Sequence, residues 1–101
     1  MAIFSPNWFY LDNYVIEEKG TLCQTRIIED ENECKNAVTS FRSIAIANTD
    51  MVEDGSWVES KSYYPKGCYL LINHVDGRVY FNKHETGSAN NNARPICVHG
   101  E

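Results

Sequence analysis

The sequence predicts an α+β domain: a twisted, mainly antiparallel sheet with one helix packed across it and two disulfides. Three observations predict it. A single amphipathic stripe of helical period runs through Cys34, Ala37, Val38, Phe41 and Ala45. Alternating β-rich runs lie on both sides of it, and "YYPKGCYLLINHVDGRVYFNKHETGS" at 63–88 is the best organised. Four cysteines, an even number at wide spacing, fall on these elements.

The chain of 101 residues reads as a single domain, 1–101, with its core at about 8–99. It is 43% apolar and 12% aromatic, with charges spread along its length, so it has the composition of a globular domain and not of a disordered chain.

Taken in order, the first strand expected is Trp8 to Glu17, with turn-forming Asp12-Asn13 in its middle. "EEKG" turns the chain, and "TLCQTRIIE" at 21–29 makes a second strand. The helix follows over "EDENECKNAVTSFRSIAIAN" and is expected to run for about four turns. Asp30 is its N-cap, with Glu33 three residues on at capping-box spacing. Acidic residues in the first turn suit the positive end of the helix dipole.

"NTDMVEDGS" at 48–56 reads as an acidic loop, and 57–63 as a short strand near a sheet edge. Tyr64-Pro65-Lys66-Gly67 has the residues of a turn. In the hairpin that follows, Asp76-Gly77 is a type I′ signal, and a two-residue loop there sets Val75 opposite Arg78. Alternation then divides the hairpin. Cys68, Leu70, Ile72, His74, Val79 and Phe81 share one face, which is the more apolar and the better core candidate. Tyr69, Leu71, Asn73, Tyr80 and Asn82 share the other, flanked by Val75 and Arg78. "HETGSANNNAR" reads as a polar loop, and "RPICVHG" as the last strand.

Charge narrows the function. The net charge is −5, and the nine basic residues form no stripe, so nucleic acid and anionic membrane surfaces are poor partners. No apolar run reaches the roughly 20 residues that span a bilayer, so membrane insertion is not expected. "MAIFSPNWFYLDNY" lacks the basic start and apolar core of a signal peptide. That leaves a cytosolic protein, or a mature segment with an added Met.

The cysteines favour the second reading. No C-x-x-C pair occurs, and a dispersed even set in a small chain suits two disulfides in an oxidising, extracellular or lumenal compartment. The other reading is four buried free thiols. Three pairings are open. The faces favour Cys34–Cys68, because the buried helix stripe and the buried hairpin face point into one layer. Cys23 and Cys97 then pair if the first and last strands lie together. Bridges over loops of this size are each worth about 4 kcal/mol. Two of them are comparable to the roughly 5–15 kcal/mol stability of a whole domain.

A helix bridged to the central strands, with a second bridge joining the chain ends, resembles a PAN/apple-type module. "IIEDENECKNAV" is similar to the helix start of those modules. "YPKGCY…VYFN…TGS…PICV" also resembles small cysteine-containing modules in surface or secreted proteins of algae and other protists. The resemblance covers most of 20–98 and departs from many apple modules in having four cysteines, not six. It implies an extracellular habit and binding of protein or carbohydrate, and it transfers no catalytic residue.

Chemical constellations are sparse. Cys97, His99, His84 and Cys68 match no zinc spacing, so no metal or other cofactor is expected. A Cys/His nucleophile with His74 or His84 would need a free thiol, which a bridge removes. The acidic groups at 29–33 and 50–54 lack EF-hand spacing and read as solvated surface. Asn90-Asn91-Asn92 reads as a flexible turn.

The tyrosines carry the functional expectation. Tyr69, Tyr80, Asn73, Asn82 and Arg78 form the candidate binding face, with Tyr63 and Tyr64 beside it, because rings with polar tips suit interfaces. The alternative is that the N-terminal aromatic segment Trp8 to Tyr14 covers this face. The expected function is a non-catalytic binding module for a protein or glycan. The second reading is a structural accessory subunit of a larger assembly.

Overall fold

The computed structural model describes residues 9–10, 13–42, 50–51, 57–72 and 78–99. In chain order these form β1 (Phe9–Tyr10), β2 (Tyr14–Ile16), β3 (Arg26–Ile27), α1 (Glu31–Arg42), β4 (Asp50–Met51), β5 (Val58–Glu59), β6 (Pro65–Leu71), β7 (Arg78–Gly87) and β8 (Ala93–Val98). The sheet runs β1-β2-β8-β6-β7-β4, with β3 also on β8 and β5 also on β7. All pairings are antiparallel except those of β4 and β5, which run parallel to β7. With one helix and two disulfides, this is the α+β domain that the sequence predicts.

The helix begins as its cap requires. The Glu33 N–H donates to the Asp30 side chain at 3.3 Å, and the Cys34 N–H to the Asp30 carbonyl at 3.0 Å. Cys34, Ala37 and Val38 are fully buried and pack with Cys68, Leu70, Val79 and Phe81, so the stripe lies on the predicted hairpin face. The described helix ends at Arg42; the Phe41 side chain and the expected continuation to Asn48 lie outside the described residues.

Both bridges have the preferred pairing: Cys34–Cys68 with Cα atoms 5.5 Å apart, and Cys23–Cys97 at 5.8 Å. The second forms because the strands at the two chain ends do meet, Val15 standing opposite Cys97. Strand alternation puts the two staples on opposite faces. Ile96 and Val98 face the helix with Tyr14 and Ile16, whereas Cys97 points the other way with Ala93.

Several boundaries differ from expectation, each for a local reason. The long first strand is two short antiparallel strands, with Phe9 opposite Ile16 and Tyr10 opposite Val15. The strand expected at 21–29 shrinks to two residues. There the Gln24 N–H goes to the Glu17 carboxylate at 3.0 Å and the Thr25 hydroxyl to the Val98 carbonyl, so side-chain bonds replace the ladder. Inside the expected acidic loop, Asp50 and Met51 pair with Arg78 and Val79. Such a short pairing leaves no period to read.

The expected turn at 64–67 is instead the start of β6. Proline costs nothing at a strand's first position, and the irregularity between Pro65 and Gly67 is taken up on β7, where residues 83–86 stand against Lys66 alone. Gly67 has φ of 90°, and a Cβ there would lie 2.6 Å from the Ile28 carbonyl oxygen. Only glycine lets the chain entering the helix cross this close. β7 also reaches Gly87, through residues expected to be loop.

The hairpin register is corrected too. A loop closing at Asp76-Gly77 places Leu71 opposite Asn82; the structure places it opposite Arg78, four residues earlier. The shift is even, so both faces keep their described members. It matches Cys68 with Phe81 and Tyr69 with Tyr80, where the expected register would match them with Glu85 and His84. Cross-strand packing outweighs the turn signal. Asn73 and Asp76-Gly77 themselves lie outside the described residues.

Candidate functional site

Alternation along β6 and β7 directs Tyr69, Leu71, Tyr80 and Asn82 away from the helix. Tyr69 and Tyr80 are direct cross-strand partners, with ring centroids 5.8 Å apart and planes 26° apart. Tyr64, just before β6, stacks on Tyr69 at 5.1 Å and 21°. Tyr63 leans on Tyr64 at 4.9 Å and 50°. Four rings therefore run in contact from the interior to solvent. Tyr69 is 0% exposed, Tyr64 and Tyr80 are half-buried, and Tyr63 is 54% exposed. The ammonium of Lys61 stands 5.9 Å from the Tyr63 ring centroid, within cation–π range.

The face is thus part core and part surface. Tyr69, Leu71 and Ala93 make a small second core layer, covered by Tyr64 and Tyr80. The expected cover does not come from Tyr14, which packs in the helix-side core. From the stretch before β6 it comes from Tyr64, on residues 60–64 that cross from β5 to β6, whereas Trp57 and Val58 before them pack with the helix-side core.

Two buried polar groups hold that crossing segment. The Tyr69 hydroxyl donates to the Glu59 carboxylate. Burial, that hydrogen bond and the Glu59 charge hold the phenol far above its ordinary pKa. Burial raises Tyr64 as well, helped by Tyr63 and Glu59. Both phenols therefore stay neutral at physiological pH.

Asn82 is the second tie, and it is only 1% exposed. Its Oδ1 accepts the N–H of Lys61 at 2.8 Å and of His84 at 3.1 Å. Its Nδ2 donates to the carbonyls of Lys61, Tyr64 and Pro65 at 2.8, 3.0 and 3.1 Å. Every polar capacity of the side chain is used internally. Next to it, His84 Nδ1 accepts the N–H groups of Thr86 and Gly87 at 3.2 and 2.9 Å.

Of the five residues expected to form the face, the structure brings Tyr69 and Tyr80 into contact. Asn82 is on the same face but inside it. Arg78 is exposed at the start of β7, and Asn73 lies outside the described residues.

Three contributors were not legible in the sequence. Glu59 and Lys61 sit on a segment whose alternation is poor. Asn90 lies in a run read as a flexible turn, yet it is a junction. Its carbonyl accepts the N–H of Gly20 and Ala93, its Oδ1 the N–H of Asn92 at 2.8 Å, and its Nδ2 donates to the Tyr63 carbonyl at 2.8 Å. The one available signal was the tendency of Asn to bond its own backbone two residues on.

Other chemistry is sparse. All four cysteines are in disulfides, and among the described residues no group of three or more His, Cys, Asp or Glu side chains could hold a metal ion. No described helix is long and apolar enough to cross a membrane. A cleft of about 270 Å³ lies at the start of α1, lined by Asp30, Glu31, Lys66, Phe81 and Lys83 among others. Its charges are of both signs, and the Lys66 ammonium is within 3.3 Å of the His84 carbonyl.

The fold and its staples define a small two-disulfide α+β domain, and the bridges fit an oxidising compartment. No family model matches the chain, and no curated protein or solved structure shows significant similarity to it.

Proposed function

We propose that this domain is a non-catalytic recognition module of an extracellular or lumenal protein, and that its tyrosine face binds carbohydrate. The observation that carries the reading is the exposed Tyr63 ring at the end of a supported stack. A rigid aromatic loses little conformational freedom on binding. Tyr63 is fixed through its carbonyl by Asn90 and through its ring by Tyr64. The exposed side chains of Asn91 and Asn92 on the neighbouring loop supply neutral donors and acceptors.

A glycan suits this face better than a protein does. A protein interface of ordinary size takes about 800 Å² per partner, centred on large buried anchors. Among the described residues, the large hydrophobic side chains that are exposed are Leu22 and Tyr63.

The test is a glycan array probed with the oxidised domain, followed by titration of a retained oligosaccharide. Tyr63→Ala should weaken binding about tenfold, as expected for loss of an aromatic anchor. An array without retained glycans, together with specific capture of a protein, would replace carbohydrate by protein recognition. A domain that binds neither and aggregates until a partner subunit is added would point to an accessory role.

A further inference from the structure

The two disulfides differ in their cover. Cys34 and Cys68 are both buried between the helix and the sheet, beneath Ala37, Val38 and Phe81. Reaching those sulfurs requires lifting α1 from the core. Cys97 is also buried, but Cys23 is half-buried on a segment of different character. Glu18, Lys19, Leu22, Gln24 and Thr25 around it are all exposed, Leu22 by 50%.

Apart from the bridge, the ties of this segment to the sheet among the described residues include the Gln24 N–H on Glu17, the Thr25 hydroxyl on the Val98 carbonyl, the two-residue strand β3, with Arg26 opposite Val98 and Ile27 opposite Cys97, and the Ile27 side chain beside Gly67. Firm anchors lie at its ends. Gly20 bonds to the Asn90 and Ala93 carbonyls, and Ile28 is fully buried against Gly67. A segment with few buried contacts opens locally at lower cost than a packed helix.

We propose that Cys23–Cys97 is a reducible latch that opens while Cys34–Cys68 stays closed, freeing residues 21–27 from the edge of β8. The reductant is a dithiol. One of its thiolates attacks the accessible Cys23 sulfur, forming a mixed disulfide and expelling Cys97 as a thiolate, which takes up a proton. The second thiolate attacks the reductant's own sulfur in that mixed disulfide. This closes the reductant's disulfide and releases Cys23, which is protonated in turn. Two electrons pass from the dithiol to the cysteine pair.

The fold survives this step because the helix, its bridge and the β8-β6-β7 ladder are untouched. The change is local: β2 pairs with one side of β8 through Cys97 and Val98, and on the other side, where β6 pairs only at 93–95, these two residues are covered by β3.

The test uses the whole oxidised domain in graded dithiothreitol, with N-ethylmaleimide quenching, intact mass and peptide mapping. A species with two labels, on Cys23 and Cys97, should accumulate before any species with four, at about tenfold or more faster labelling. In that species amide exchange should rise over 21–27 and stay slow over 31–42. A two-label species carrying its labels on Cys34 and Cys68, or passage from no labels to four without an intermediate, would overturn the proposal.

Discussion

Replacing Asn82 by alanine should detach the segment that covers the tyrosine face. The magnitude follows from five hydrogen bonds made by one side chain that is 1% exposed. A typical intramolecular hydrogen bond contributes about 1 kcal/mol net, and a buried group left unpaired costs about 1–3 kcal/mol. Not all five losses are complete, because Lys61 is exposed and water can reach its backbone groups. A loss of roughly 3–5 kcal/mol is expected, a large share of the roughly 5–15 kcal/mol of a domain.

Asn82→Asp separates the donor role from the acceptor role. It keeps acceptors for the Lys61 and His84 N–H groups, but it turns a carboxylate oxygen toward the carbonyls of Lys61, Tyr64 and Pro65. It should therefore be no better than alanine. Urea unfolding of the oxidised proteins, followed by near-ultraviolet circular dichroism of the stacked tyrosines, measures both. A loss below about 1 kcal/mol for alanine, or a parental midpoint for the aspartate variant, would refute the claim that Asn82 pins this segment.

Two further predictions concern the scaffold. Gly67→Ala should destabilise by roughly 2–4 kcal/mol in the same urea assay, because it adds strain at positive φ to a close approach to Ile28; a neutral effect would mean that the crossing before the helix is loose. Stability should also fall above about pH 10, where unfolded tyrosine ionises. The folded state keeps Tyr69 protonated there and binds more protons than the unfolded chain, so stability declines as pH rises. Tyr69→Phe should flatten that decline by up to about 1.4 kcal/mol per pH unit, read from urea midpoints between about pH 8 and pH 11; an unchanged slope would mean that Tyr69 ionises as freely in the folded protein.

The parts of the fold legible in the sequence are those written in a repeating period. The stripe from Cys34 to Val38 identified both the helix and its buried side. Alternation from Cys68 to Leu71 and from Val79 to Asn82 identified the two sheet faces. Together they placed Cys34 and Cys68 in one layer and left Cys23 for Cys97. These inferences tolerate errors of register: the hairpin is four residues from its expected alignment, and among the described residues no side chain changed face.

The two-residue strand β4 escaped, because it has no period and exists only through a strand already in place, and the expected strand at 21–29 kept only β3. Pro65 and Gly67 announced an irregularity, but a turn and an irregular strand start use the same residues, and only the pairing of Pro65 with Gly87 and Gly67 with Asn82 distinguishes them. The candidate face was half legible for the same reason. Tyr69 and Tyr80 are related by alternation, whereas Glu59, Lys61 and Asn90 reach the site along irregular backbone.

The helix, the division of the hairpin and a preference among three cysteine pairings could be read from local order, since amphipathicity is a local property that any compact packing must respect; the folded chain closes Cys23–Cys97 and Cys34–Cys68. Tertiary structure alone decided which tyrosine remains in contact with solvent and which amide is spent inside. Those outcomes depend on where 60–64 crosses from β5 to β6, and that path is set by hydrogen bonds that Asn82 and Tyr69 make with residues distant in the chain.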